Sequence, residues 1–371
     1  MILEQFFWCS IAVVIYVYVG YPAVLLLLGL LIRRAPRKAP VEPSVSMLVA
    51  AYNEAEIIEK KIENALALDY PPDRLEIVIA SDGSTDATVA LASRFTDDPR
   101  VRVIAYPKNR GKISVLNQTV PQLRGEIVVF SDAASMLLPD ALRKLMASFA
   151  DPQVGGVSGL YSVHKTEQAD IGSQEAFYWK YETFLKMQEG TLASVLGAHG
   201  SLYAIRRKLY PFPDKSTIND DYVIPLRVVQ QGHRVVYEPG AISYEEAQEM
   251  GGFHRRVRIM AGNIQQLREI QFLIWPPRPL PLFFFLSHKA GRVIVPWCML
   301  LAIFCNLLLI NRPLYQVLAV AQVGFYGLAL LGAGQRLRPR SLGLPYYFCM
   351  INAAGLLALC RMLGVRKVVW K

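Results

Sequence analysis

The chain of 371 residues is 53% hydrophobic and 19% charged, with a formal net charge of +10 and five cysteines. That balance excludes a purely soluble enzyme, because the apolar residues gather in two zones, Phe6 to Ile32 and about Val293 to Leu363. All five cysteines (Cys9, Cys298, Cys305, Cys349 and Cys360) lie in those zones, which excludes a disulfide framework or thiolate metal site in the part between. The basic excess borders the apolar zones at 33–38, 335–340 and 361–371 and is not interleaved with aromatics, so its expected partner is anionic lipid and not nucleic acid.

In chain order, Phe6 to Ile32 comes first: 27 residues without a charged side chain, more than the roughly 20 needed to cross a bilayer. A secretory leader would place basic residues before a shorter apolar core. Here Arg33, Arg34, Arg37 and Lys38 follow it, so the segment reads as an anchor that leaves residue 33 onward in the cytoplasm. The expected layout is an anchor over 1–35, a catalytic domain over 36–260, amphipathic interfacial helices over 261–290, and membrane segments with a basic tail over 291–371.

Within the domain, Val45 to Ala51, Leu75 to Ala80, Val101 to Ala105 and Glu126 to Phe130 read as short buried strands. Helical spacing follows each of them, over Ala55–Leu68, Asp86–Phe95, Lys112–Leu123 and Pro139–Phe149. This alternation predicts an α/β fold, Rossmann-like, with a mostly parallel sheet whose ligands bind at the carboxyl ends of the strands. Two of those ends carry acids, Asp82 and Asp132. Each is an ordinary turn residue if taken alone, and Asp86 a helix cap; together they suit a nucleotide and a hard divalent cation held through oxygen. Asp220 and Asp221 open a further helical pattern, where acids favour the dipole but where one carboxylate in a cleft of acids also serves as a general base. Arg255 and Arg258, three apart on one helical face, are candidates for a pyrophosphate, and Arg256 for lipid headgroups.

With these residues assembled, the chain resembles the membrane-embedded members of glycosyltransferase family 2, the cellulose-, hyaluronan- and poly-N-acetylglucosamine-synthase-like enzymes. The resemblance covers about residues 44 to 275 and implies a GT-A catalytic domain. Ala50-Ala51-Tyr52-Asn53-Glu54 looks like the loop that lies against the nucleotide, and Asp82 matches the aspartate that contacts the base. Lys112, in Asn109-Arg-Gly-Lys112, looks like the lysine near the donor diphosphate. Asp132 matches the first acid of the D-x-D metal motif, for Mg2+ or Mn2+, and His199-Gly200-Ser201 resembles the loop shaping the acceptor site. Asp221, with Asp220 beside it, matches the catalytic base, and Arg255-x-x-Arg258-Ile259 the motif that holds the pyrophosphate. Two positions depart from the pattern. Ala134 stands where the second acid of D-x-D belongs, leaving Asp132 alone with the donor phosphates unless Ser135 or another acid helps; and Ile259 replaces a tryptophan typical of processive synthases.

The function this implies is inverting transfer of a sugar from a UDP-sugar to a lipid-linked or growing polysaccharide acceptor at the inner membrane, by a multi-pass protein with its catalytic domain in the cytoplasm. The partners implied are the donor, the acceptor, membrane lipid and either a second copy or an export partner. Polyprenyl-phosphate glycosyl transfer and an inactive scaffold of a polysaccharide assembly complex are the alternatives. Candidate spans are about 7–32, 293–310, 314–334 and 345–363, the last of them expected to be re-entrant so that the basic tail stays inside; residues 262–275 are expected in the interface plane.

Overall fold

In the computed structural model the described residues are 1–164, 173–246, 253–333 and 344–363. The basic segment 335–340 and the tail with Arg366, Lys367 and Lys371 lie outside them.

Eight strands form one sheet: β1 (Val45–Ala51), β2 (Leu75–Asp82), β3 (Val101–Tyr106), β4 (Ile127–Phe130), β5 (Met136–Leu137), β6 (Val154–His164), β7 (Tyr203–Arg206) and β8 (Arg234–Glu246). Their order is β3-β2-β1-β4-β7-β6-β8-β5. The first four are parallel, as the alternating pattern predicts. Beyond β4 the sheet becomes mixed, with β7 antiparallel to both β4 and β6, β8 parallel to β6, and β5 antiparallel to β8. The central strands are buried on both faces: Met47, Val49, Ile77 and Val129 pack under helices on one side, and Leu48, Val78, Val128 and Ile205 on the other. Side chains such as Ile77 and Val129, at 0% exposure, stabilise the fold by about 2 kcal/mol each through removal of apolar area from water.

Four helical stretches are long and apolar enough to cross a bilayer: Ile2–Leu31, Pro279–Leu308, Pro313–Ala333 and Leu344–Met362. This is the layout of a multi-pass membrane protein. The first two each contain a π-helical turn, Tyr16–Gly20 and Phe285–Ala290. The turns meet, with Tyr16 Oη 2.8 Å from Ser287 Oγ, and Gly291 allows the approach because a Cβ there would stand 2.8 Å from Val17. Tyr21 and Leu25 of the first helix are fully buried against Leu185 and Leu192 of the helix Ser173–Leu192 and Phe284 and Phe285 of the second. Apolar packing thus joins the domain to the membrane helices.

The helix Phe253–Gln266 begins the stretch expected near the interface. One face is covered by the last apolar helix, Val257, Met260 and Ala261 packing on Ala354 and Ala358, and Arg256 stacks 4.7 Å from the Tyr347 ring. Further on, Ile274 and Trp275 stand 53% and 80% exposed, suited to a membrane–water boundary.

Candidate active site

Parallel pairing of β1, β2 and β4 sets Ala51, Asp82 and Asp132 along one edge of the sheet. Because β7 runs antiparallel to β4, with Phe130 opposite Tyr203, the loop before β7 meets the loop after β4. Gly200 therefore lands beside Asp132. A Cβ at Gly200 would stand 3.4 Å from Asp132 Oδ2 and 3.6 Å from Asp221 Oδ2, so both carboxylates face the space that the missing side chain leaves. The Ala198 amide donates to the Asp221 carbonyl at 2.8 Å, tying the same loop to the start of the helix Asp220–Gln230.

Lys112 joins the acids. Its Nζ lies 2.9 Å from Asp132 Oδ1 and 3.2 Å from Asp220 Oδ2. Burial alone would lower the Lys112 pKa, but Asp132 and Asp220 outweigh it and hold the ammonium well above its ordinary value. Asp220, 7% exposed, is turned inward toward Lys112 and Tyr203. Asp221 is pushed up from 3.8 to about 6, first by burial and then by Asp220 and Asp132, against the pull of Lys186 and Lys112. A carboxylate near 6 is half-ionised close to neutral pH, the range in which a general base works.

The loop expected to lie against a nucleotide is built by side chains gripping backbone. Asn53, at φ +56°, accepts from the Thr85 amide at 2.8 Å. The Glu54 amide donates to Thr88 Oγ1 and the Ala55 amide to Asp86. Asp86 also accepts from the Thr88 amide at 3.0 Å, the capping role open to it from sequence. Asp82 is 2% exposed and accepts from the amides of Arg110 and Gly111, both at 2.8 Å. Gly83, at φ +69°, permits this close approach, since a Cβ would meet Lys108 and Asn109 backbone at 2.5 Å. Asp82 lies two strands from β4, about 10 Å away by strand spacing, and it shapes the Lys108–Lys112 loop. Tyr52 and Glu54 are half-buried on the same rim, and burial followed by Asp132 and Asp86 raises the Glu54 pKa.

His199 and Ser201, expected from sequence beside an acceptor, face inward. The His199 ring is buried among Tyr161, Trp179 and Tyr237, with Nε2 3.3 Å from Tyr237 Oη. Burial, with Lys186 adding to it, holds the imidazole pKa well below its ordinary value, so it is neutral. Ser201 Oγ accepts from Ser243 at 2.9 Å. Ser135 offers no help to Asp132: it is fully buried and donates its hydroxyl to Glu245 at 2.6 Å. Ala134 is exposed and presents only a methyl group.

The arginine-bearing helix is docked on the residue before the acid pair. A Cβ on Gly262 would lie 2.4 Å from the Asn219 amide group, and Gln265 accepts from the Ile218 amide at 2.9 Å. Arg258 is half-buried on this helix; the Arg255 side chain lies outside the described residues.

The scan against family models matches residues 46–211 to "Glycosyl transferase family 2". This segment belongs to that family. The chain is 26% identical over 264 residues to poly-beta-1,6-N-acetyl-D-glucosamine synthase of Staphylococcus aureus, covering 69% of this chain and 63% of the relative. For the Staphylococcus epidermidis protein of the same name the values are 23% over 274 residues, 72% and 65%. The matches thus span just under two thirds of the length of these curated relatives. Among solved structures, mannosyltransferase PcManGT from Pyrobaculum calidifontis, in complex with GDP-Man and Mn2+, superposes with a TM-score of 0.74 at 23% identity, over 98% of this chain and 99% of that one. The shared GT-A-like fold therefore extends beyond the sheet to the flanking apolar helices.

A second charged group escaped the sequence reading. On the helix Ser173–Leu192, Glu182, Lys186 and Glu189 are all under 8% exposed. Glu182 pairs with Arg292 and lies 3.4 Å from His288; Glu189 accepts from Tyr21 and lies 2.7 Å from His288. Burial would raise the Glu182 pKa, but Arg292 and His288 hold it well below the usual carboxylate range. Lys186 donates to the Ala198 carbonyl at 3.0 Å and is pushed down to about 8 by burial and by Lys289. Its signal in the sequence is faint: charged residues share one helical face with Leu185 and Leu192.

Proposed function

We propose that this protein is an inverting hexosyltransferase that takes a sugar from a UDP-sugar and passes it to a lipid-linked or growing polysaccharide acceptor at the cytoplasmic membrane face. The observation that carries the proposal is the placing of Asp132 and Asp221 on either side of Gly200, with Lys112 between Asp132 and Asp220.

In this reading Tyr52, Asn53, Glu54 and the Asp82 loop cradle the nucleotide, while Lys112, Arg255 and Arg258 neutralise the diphosphate. Asp132 offers an oxygen beside open space and its side chain is 44% exposed, which fits a hard cation held mainly by the donor phosphates. Mg2+ or Mn2+ bound there would neutralise charge on the departing diphosphate. Asp221 takes the proton from the acceptor hydroxyl as that oxygen attacks the anomeric carbon from the face opposite the leaving group. Lys112 keeps Asp220 and Asp132 paired, so that Asp221 is the acid left to accept a proton. His199 and Ser201 hold the Gly200 loop in place, and the gap at Gly200 admits the acceptor. The packing of Tyr21 and Leu25 of the first apolar helix on Leu185 supports a crevice close to the membrane, within reach of a lipid-borne acceptor.

Purified protein incubated with a panel of UDP-sugars, membrane lipid extract and Mn2+ should release UDP with one of them and give a lengthened lipid-linked product by mass spectrometry. Transfer directly to a polyprenyl phosphate would instead support the simpler acceptor, and absence of turnover with every donor would favour the scaffold.

A further inference from the structure

Among the described residues, the most deeply buried lysine lies behind the Asp132 loop. Lys61, at 0% exposure, belongs to the helix Ile58–Leu66, on the same face as Ile58, Ile62 and Ala65. Its Nζ donates to Ser131 Oγ at 2.7 Å and to the Ser135 carbonyl. Ser131 Oγ in turn donates to the Ser201 carbonyl at 2.9 Å. One turn on, Asn64 exchanges two hydrogen bonds with the Leu137 backbone, at 2.9 and 2.8 Å. One helix therefore grips the whole 131–137 segment, and through Ser131 it also holds the loop that carries Gly200.

Burying an ammonium is costly, and a neutral side chain of similar length would ordinarily be the more stable choice. Among the described residues no carboxylate is hydrogen-bonded to Lys61; Ser135 intervenes between it and Glu245. A loop that offers a cation one carboxylate, with Ala134 in place of a second, cannot be oriented by chelation and must be held by the protein.

We infer that Lys61 is a positioning residue, which fixes the Ser131–Ser135 loop so that the lone Asp132 carboxylate meets the donor-bound cation. The inference rests on the donor-site reading above.

The test uses full-length protein in detergent and the variants Lys61→Met and Ser131→Ala. Mn2+ binding in the presence of UDP is followed by electron paramagnetic resonance, melting temperature by fluorescence, and amide exchange of residues 131–137 by mass spectrometry without nucleotide. The expected result is Mn2+–UDP affinity at least tenfold weaker in Lys61→Met and several-fold weaker in Ser131→Ala, faster exchange of 131–137, and a melting temperature equal to or above the parent in Lys61→Met. Unchanged affinity and exchange would overturn the inference, as would losses that track a lower melting temperature in both variants. If the parent itself bound no Mn2+–UDP, the donor-site reading would fail, and the exchange of 131–137 alone would decide whether Lys61 holds the loop.

Discussion

Two groups of charged side chains lie near the loop of residues 197–201, the second touching it through Lys186 alone, and they are built in opposite ways. The crevice group, Asp132, Asp220, Asp221 and Lys112, comes from strand ends and a helix start and stays partly open, with Asp132 side-chain exposure at 44%. The membrane-side group, Glu182, Glu189, His288 and Arg292, comes from the flanks of helices and is nearly closed, with Glu182 and His288 side chains at 5% and 2%. The first tolerates acids crowded together, at the cost of a raised Asp221 pKa; the second gives each carboxylate a hydrogen-bonding partner, Arg292 and the His288 ring for Glu182, Tyr21 and the His288 ring for Glu189. Crowding suits chemistry, whereas matching suits attachment of a domain to its membrane helices.

The largest effect should come from the crowded side. Asp221→Asn should lower kcat by about 10³-fold, within the range for loss of a general base, with UDP affinity retained by calorimetry. The pH profile sharpens this. Asp221 near 6 must be ionised to act, so kcat/KM should fall about tenfold per pH unit below 6. Stability should move the other way. A folded pKa above the ordinary one means that protonation favours the fold, so Asp221 weakens the native state as pH rises from about 4 through about 6. Asp221→Asn should therefore melt higher than the parent at pH 7 and close to it at pH 4.

The matched side should respond in stability. Glu182→Gln leaves Arg292 buried without its carboxylate and should cost about 3–5 kcal/mol, read as a lower melting temperature in detergent. Pairing it with Arg292→Met should recover most of the loss. An equal loss in catalytic rate at temperatures where the variant stays folded would break the division of labour between the two groups. Next in size is Gly200→Ala. Its methyl makes only ordinary contacts with Asp132 and Asp221, at 3.4 and 3.6 Å, so the fold should survive while kcat/KM for the acceptor drops by about tenfold to a hundredfold, or about 1.4–2.7 kcal/mol. Smallest is Arg94→Ala, which removes an exposed pair with Glu59 and should change stability by less than about 1 kcal/mol.

These differences also explain what could be read from sequence. The first four strands, and Asp82 and Asp132 at their ends, are legible because a buried parallel strand is a continuous apolar run and its end is a fixed place. The edge beyond β4 is not: β7 has four residues, and β6 is interrupted by Gly155, Gly156 and Gly159, so neither gives a periodic signal. Asp82 is legible as an acid at a strand end, but its engagement by the Arg110 and Gly111 amides depends on a loop conformation that no pattern encodes. Lys61 leaves a trace, a charged residue between Ile58 and Ile62 on the inward face. The Glu182 group leaves little, because its members lie about 100 residues apart and only packing pairs them.

The length of the first two apolar helices has a mechanical consequence. Each runs 30 residues, about 45 Å at 1.5 Å per residue, against a hydrocarbon core of about 30 Å. Roughly a third of each rod must therefore stand clear of the oily layer or tilt within it. The buried contacts at Tyr21, Leu25 and Phe285 make those projecting ends a pedestal for the sheet. With both rods crossing a bilayer, their projecting ends would set the height of the sheet above the lipid, and a bilayer thick enough to swallow the pedestal would pull the sheet down with it.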